Sequence, residues 1–188
     1  MIRSILIALA EPPNDAGARN VAFWLARKEG SSVLALAVSD MTAFEVPVMT
    51  GSDSFIPSMV VPPLGESQAL MRDLMAEAGK RLELFAGECR ARGIRIRTET
   101  RSGIPGDVIS RAAVAHDIVV VSRTGYNRLA SPRETVDAWI APVVRGSVRP
   151  VLVAGEAFRE GNEVRNILIA YDGSLHAARA LLAAAELA

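Results

Sequence analysis

Cysteine is almost absent from this chain. Cys89 is the only cysteine among 188 residues, so no disulfide can form within the chain, and no group of Cys and His residues has the spacing of a metal site. We expect Cys89 to serve as a small apolar side chain on a helix. A chain with a single thiol fits a reducing, cytoplasmic setting.

An excess of charge of one sign is also lacking, and aromatic residues are few. The 21 Lys and Arg residues balance 21 Asp and Glu residues, and only 5% of the chain is aromatic. A surface that binds nucleic acid or an anionic membrane normally carries clustered basic residues. The sequence therefore predicts neither nucleic acid nor a membrane surface as a partner.

Long hydrophobic runs are missing as well. No apolar stretch approaches the roughly 18 residues that a membrane-spanning helix needs. The run at residues 5–10 follows Arg3 and resembles part of a signal peptide, but it is too short for an ordinary hydrophobic region of that kind. We interpret it as a buried strand.

Apolar runs that alternate with helical patterns are abundant. Buried strands are predicted at residues 5–10, 31–39, 118–122 and 149–155, and the strict alternation of residues 94–102 predicts an edge strand. Helices are predicted at 16–29 and 66–92, from near Pro105 or Asp107, and within 126–148. Residues 41–65 form an irregular flap rich in proline. This order predicts an α/β, Rossmann-like, doubly wound sheet of five parallel strands.

The end of the chain repeats its beginning. Residues 4–26 align with residues 166–188 without a gap, and nine of the 23 positions are identical, including an Ile-Leu-Ile-Ala block. The repeat predicts a domain at 1–156, a linker at 157–165 and the start of a second, incomplete copy at 166–188, that is, an extra C-terminal β-α unit. Alternatively, residues 166–188 pack on their own domain or on a neighbouring chain.

Three segments together resemble the universal stress protein family. They are residues 103–125, which read GIPGDVISRAAVAHDIVVVSRTG, residues 149–155, which read RPVLVAG, and residues 166–174, which read NILIAYDGS. The resemblance covers residues 3–39, 66–155 and 166–188, and it implies a cytoplasmic stress-response binding protein without robust enzymatic turnover. It also implies ATP or another adenine nucleotide as ligand, and a homodimer through the last strand (149–155) or the flap.

Nucleotide-binding members of that family carry a phosphate loop of the form Gly, two residues, Gly, nine residues, Gly, then Ser or Thr. Glycine at these positions lets phosphate oxygens approach backbone N–H groups closely. Here Ser122 stands at the first glycine position, Gly125 keeps the second, and the final glycine is absent. The resemblance therefore implies that ATP binding is weakened or lost, unless Arg123 supplies charge to a phosphate.

Two further contacts follow from the resemblance. The acid that meets adenosine falls at Ala10, with the neighbouring Glu11 as a substitute, and the backbone that meets adenine falls at Val38. The second copy keeps the acid as Asp172. Three functions stay open: an adenine-nucleotide binder with a variant loop, a binding module that has lost the nucleotide, and a related nucleotide hydrolase.

Two other groups contain residue types that can act in catalysis. His116 and Asp117 lie at the amino end of a predicted strand, away from the edge where doubly wound proteins bind ligands. Asp172, Ser174 and His176 are the residue types of a catalytic triad, but their spacing is better explained by a helix start capped by Asp172 or Ser174, with His176 facing solvent. The sequence thus predicts no catalytic residues.

Overall fold

The computed structural model describes residues 1–10, 14–40, 64–124, 137–162 and 164–187. Strands and helices alternate along this part of the chain. The strands are β1 (Ser4–Ala8), β2 (Ser32–Asp40), β3 (Ile96–Gly103), β4 (Ile118–Ser122) and β5 (Val151–Ala154). The helices are α1 (Ala16–Glu29), α2 (Leu64–Ala91), α3 (Pro105–Ala113), α4 (Asp137–Gly146) and α5 (Leu175–Leu187).

The five strands form one parallel sheet in the order β3-β2-β1-β4-β5. This confirms the predicted doubly wound α/β fold. Strand β1 lies at the centre and pairs with both β2 and β4, so the strand order reverses there. The carboxyl ends of β1 and β4 consequently form the crevice where proteins of this topology bind ligands.

Helices cover both faces of the sheet, which explains the continuous apolar runs of the central strands. One core cluster joins α1 and α2 to Ile5, Ile7 and Leu9. The other joins α3 and α4 to the alternate side chains Leu6 and Ala8. Strand β3 is an edge strand, as its alternating sequence predicts, because only one of its sides pairs within the sheet.

Helix α1 has the bounds that the sequence predicts. Gly30 follows it with a φ of 67°, a left-handed conformation that favours glycine. Asp15 stands at the N-cap of α1 but makes no side-chain cap bond. The Asp15 carboxylate instead lies buried, 3.9 Å from the Arg19 guanidinium.

Several other predictions about elements can be compared with the structure. Helix α3 begins at Pro105, one of the two predicted starts. Helix α4 lies within the predicted range 126–148 and contains Pro142 in its interior. Cys89 is fully buried on α2, and burial raises the pKa of its thiol to about 11. Residues 41–63 of the predicted flap lie outside the described residues.

The C-terminal β-α unit is only half formed. Helix α5 is present, but residues 166–170 adopt no strand, which corrects the prediction of an extra strand there. A strand needs a neighbour for its backbone groups, and no described strand lies alongside residues 166–170. Leu168 is accordingly 99% exposed. The division into domains and the tandem copy stay predictions.

The C-terminal end of helix α5 contacts the start of the chain and the end of α1. Glu186 accepts a hydrogen bond from the N-terminal amine of Met1 at 2.7 Å, and Lys28 donates to the carbonyl of Leu187 at 2.5 Å. No residue of α5 is fully buried. Among the helices built from described residues, none is long and apolar enough to cross a membrane.

Candidate functional site

Three of the predicted contact residues lie at the carboxyl edge of the sheet on neighbouring strands. Ala10 follows β1, Val38 lies near the end of β2, and Ser122 ends β4. The order of the strands places Ala10 between the other two. All three are buried, with 1%, 6% and 1% of their surface exposed. The fold therefore brings these residues to one edge, as the sequence predicts for a doubly wound sheet.

Ser122 uses its side chain to hold the loops of this edge together. Its hydroxyl donates to the backbone carbonyl of Asn14, just before α1, and accepts the N–H of Thr124 at 3.3 Å. The side chain of Ser122 is thus engaged with the protein itself. A phosphate that approached the backbone here would meet that side chain.

The residues after Ser122 are also tied to the end of β5. The N–H of Arg123 donates to the carbonyl of Ala154 at 3.0 Å. The hydroxyl of Thr124 donates to Glu156 at 3.0 Å, which brings a carboxylate beside this loop. The side chain of Arg123 is exposed. Arg123 is therefore free to meet a ligand, while Glu156 adds a charge that opposes phosphate.

Asp172 does not join this group of residues. It is exposed on the segment before α5, where its carboxylate accepts the N–H of Ser174 at 2.9 Å. Hydrogen bonds from Ser174 lower the pKa of Asp172. Ser174 in turn accepts the N–H of Ala177 at 3.1 Å, and His176 is exposed, so the predicted helix-start interpretation is confirmed. Glu11 and Gly125 lie outside the described residues.

Sequence reasoning missed Arg81, which reaches the site from α2. Its guanidinium donates to the backbone carbonyl of Ala10 at 3.3 Å, while its buried Nε has no hydrogen-bond partner among the described residues. The helical pattern of residues 66–92 places Arg81 beside the inward-facing Leu82, but the pattern does not reveal which strand end the side chain reaches. The structure thus adds a cation beside Ala10 at the carboxyl edge of the sheet.

Asp15 lies near this cation. Burial raises the pKa of Asp15, while Arg19 and Arg81 act in the opposite direction. Arg19 also forms an ion pair with Glu88 on α2. The two arginines and two carboxylates link the start of α1 to α2 beside the crevice.

A large cavity lies elsewhere. It has a volume of about 630 Å³ and runs beside β5, between α1 and the C-terminal segment. Its lining is mainly apolar and includes Trp24, Val151, Val153 and Ile167. Because none of the described residues of the predicted nucleotide site lines it, this cavity does not mark that site.

No protein-family model matches the sequence, and no curated protein matches it. Solved structures do resemble it. The hypothetical protein MJ0577 is similar, with 20% identity, a TM-score of 0.63 and coverage of 82% of this chain and 96% of that one. The universal stress protein UspA from Lactobacillus plantarum has 21% identity, a TM-score of 0.58 and coverage of 81% and 97%.

A further solved structure carries a ligand. It is a universal stress protein in complex with cAMP, with 16% identity, a TM-score of 0.50 and coverage of 83% of this chain and 98% of that one. These likenesses extend over most of the described sheet and helices, but the identities are low. They show that this chain has the fold of the universal stress proteins.

Proposed function

We propose that this chain is a universal stress protein that acts by binding, and that its affinity for adenine nucleotides is weakened. The fold and the three sequence segments that resemble the family support the assignment. The observation that carries the weakened affinity is the side chain of Ser122, which is buried and donates to the carbonyl of Asn14. The function that follows is stress-associated binding in the cytoplasm, without robust catalysis.

The nucleotide site in this proposal is the carboxyl edge of β1, β2 and β4. Val38 lies where adenine would meet the backbone, and Ala10 offers no carboxylate for a ribose. Arg81 and Arg123 are the cations available for phosphate oxygens, whereas Glu156 opposes them. One neighbour of this fold was solved with cAMP, which supports an adenine nucleotide as the ligand class.

Calorimetric titration of the full chain with ATP, ADP, AMP and cAMP tests this proposal. We expect a Kd near 1 mM, which corresponds to about −4.1 kcal/mol. The variants Ser122→Gly and Ser122→Ala form a matched pair, because both remove the hydroxyl but only glycine removes Cβ. If space limits phosphate binding, Ser122→Gly tightens ATP binding and Ser122→Ala does not.

The same titration separates the alternatives. A micromolar Kd for ATP in the unmodified chain would contradict the weakened affinity and support a functional binder with a variant loop. No binding by the chain or by Ser122→Gly would favour a module that has lost the nucleotide. Magnesium-dependent release of phosphate from ATP, measured with the same samples, would support the nucleotide hydrolase.

The proposal includes a homodimer through the last strand. Strand β5 pairs only with β4 within the described sheet, and Val153 is 38% exposed along it. An open apolar edge favours pairing with a second copy. Light scattering of the full chain should therefore show a dimer, and Val153→Lys should convert it to a monomer. A dimer unaffected by Val153→Lys would direct attention to the flap at residues 41–65.

A further inference from the structure

A polar pocket opens at the amino edge of the sheet, opposite to the proposed nucleotide site. It has a volume of about 200 Å³ and lies among the first residues of β1, β2 and β3. Its polar lining consists of two hydroxyls, an imidazole and two arginines, contributed by Ser4, Ser32, His116, Arg95 and Arg97. The lining therefore offers hydrogen-bond donors and two positive charges, and it contains no carboxylate among the described residues.

The half-buried Ser4 and the buried His116 form a pair in this pocket. The hydroxyl oxygen of Ser4 lies 2.6 Å from Nδ1 of His116, whose side chain is 5% exposed. Burial, with a smaller contribution from the Arg97 charge, lowers the pKa of His116, so the imidazole is neutral at pH 7. If Ser4 donates to Nδ1, then Nε2–H stays free to donate, and in the other tautomer the Ser4 hydroxyl hydrogen stays free.

Two arginines line the pocket, while one carboxylate, that of Asp117, lies next to His116, so the charge around the pair is positive on balance. One oxygen of the Asp117 carboxylate accepts the backbone N–H groups of Arg3 and Ser4 at 2.8 and 3.0 Å. Glu99, the other acid that acts on His116, is paired with Arg101 at 2.9 Å. Among the described residues, the guanidinium of Arg97 has neither a hydrogen bond nor an ion pair, and Arg95 donates only to the carbonyl of Gly30, at 3.4 Å.

We propose that this pocket binds a small oxyanion, a phosphate or a carboxylate, with Arg97 as its ionic partner and the Ser4–His116 pair as a hydrogen-bond donor. Guanidinium groups recognise both anions through charge-assisted hydrogen bonds. The volume of the pocket equals that of about six or seven water molecules, at roughly 30 Å³ each. This volume suits a small acid and is too small for a nucleotide. The site is therefore distinct from the nucleotide site at the other edge.

Binding is favoured over nucleophilic catalysis at this pair. An activated serine needs a base that is itself oriented by a third group. Among the described residues no carboxylate is hydrogen-bonded to the His116 imidazole, and the Asp117 carboxylate accepts backbone N–H groups instead. Ser4 and His116 thus supply a fixed donor in the pocket rather than an activated nucleophile.

Nuclear magnetic resonance of the full chain tests the oxyanion site. The chain has two histidines, so the His116 imidazole is assigned by comparison with the variant His176→Gln. Inorganic phosphate and succinate are titrated separately at constant pH and ionic strength. We expect a saturable shift of the His116 signals with a millimolar Kd for one anion or both, and the anion that saturates identifies the class.

Matched arginine variants make the test specific. Arg97→Gln should weaken binding about tenfold, as expected when a charge-assisted contact is lost. Arg111→Gln removes the same charge from the exposed face of α3 and should leave the Kd unchanged. Shifts that do not saturate with either anion, or equal weakening by both variants, would overturn the proposal. Binding of ATP should be unaffected by Arg97→Gln, so the two proposed sites can fail independently.

Discussion

The close approach of α1 to the end of β5 yields a sharp prediction for Gly17→Ala. Gly17 lies in the first turn of α1, and a Cβ atom built on it would stand 2.1 Å from the backbone oxygen of Gly155. A contact under 3.0 Å is one that real Cβ atoms essentially never show. Because the opposing atom belongs to the backbone, no side-chain rotation can relieve the clash, and α1 or the end of β5 must move.

The change in the free energy of unfolding follows from two effects of the added methyl group. Overpacking of a buried site costs about 1–3 kcal/mol, and a backbone obstacle places this case at the upper end. Alanine at a helical position gains back roughly 0.5–1 kcal/mol relative to glycine. The net loss is therefore about 2 kcal/mol. For a chain of this size that corresponds to a fall in Tm of about 4–8 °C.

Thermal and urea unfolding of three proteins provide the assay: the unmodified chain, Gly17→Ala and Gly87→Ala. Gly87 is also helical, but a Cβ there would meet nothing within 4 Å. Gly87→Ala should therefore stabilise the protein slightly, while Gly17→Ala destabilises it. If the two variants had the same stability, the close approach of α1 to Gly155 would not exist in solution.

Three further predictions concern buried titratable groups. Burial raises the pKa of Asp15 above its ordinary value of 3.8, so ionisation of its carboxyl costs more in the folded chain than in the unfolded chain. The unmodified chain should therefore lose stability relative to Asp15→Asn as pH rises above 3.8. A difference in urea unfolding between the two proteins that does not change with pH would contradict this. Burial lowers the pKa of His116 from 6.5, so below pH 6.5 the unfolded chain binds more protons than the folded chain. The stability of the unmodified chain relative to His116→Asn should therefore fall as pH falls below 6.5. Calorimetry between pH 5 and 8 measures this difference. Cys89 is fully buried, and the pKa of its thiol is raised to about 11. A thiol reagent should therefore label Cys89 only as fast as the chain unfolds. Rapid labelling of the folded chain would refute the packing of α2.

The sheet and most helix bounds could be predicted because their signals are local. Residues 16–29 carry a helical apolar pattern followed by Gly30, and the structure ends α1 at this glycine. The strand expected at 166–170 shows where local signals stop being sufficient. The same Ile-Leu-Ile-Ala letters form β1 between β2 and β4, but they form no strand at 167–170, where no described strand lies alongside. Strand formation depends on neighbours that a single segment does not specify.

The candidate site could be predicted only in part, for a related reason. Ala10, Val38 and Ser122 are strand-end residues, and the order of the strands is enough to place them at one edge. Arg81 comes from a helix, and its contact with Ala10 depends on how α2 packs across β2 and β3. Helical periodicity defines a face and leaves the angle and sliding position of the helix undetermined. The polar pocket at Ser4 was missed similarly, since it is assembled from the starts of separate strands.

The contacts at the end of β4 connect the proposed loss of nucleotide affinity with the stability of the fold. Ser122 joins β4 to Asn14, the N–H of Arg123 joins the same loop to β5, and Gly17 lets α1 lie against Gly155. A phosphate loop instead leaves its backbone N–H groups free for the ligand. A chain that uses this loop to hold α1, β4 and β5 together gains rigidity without a ligand. Ser122→Gly should therefore lower the stability of the ligand-free chain while improving ATP binding, and a variant that gained affinity with no loss of stability would separate the two roles of this loop.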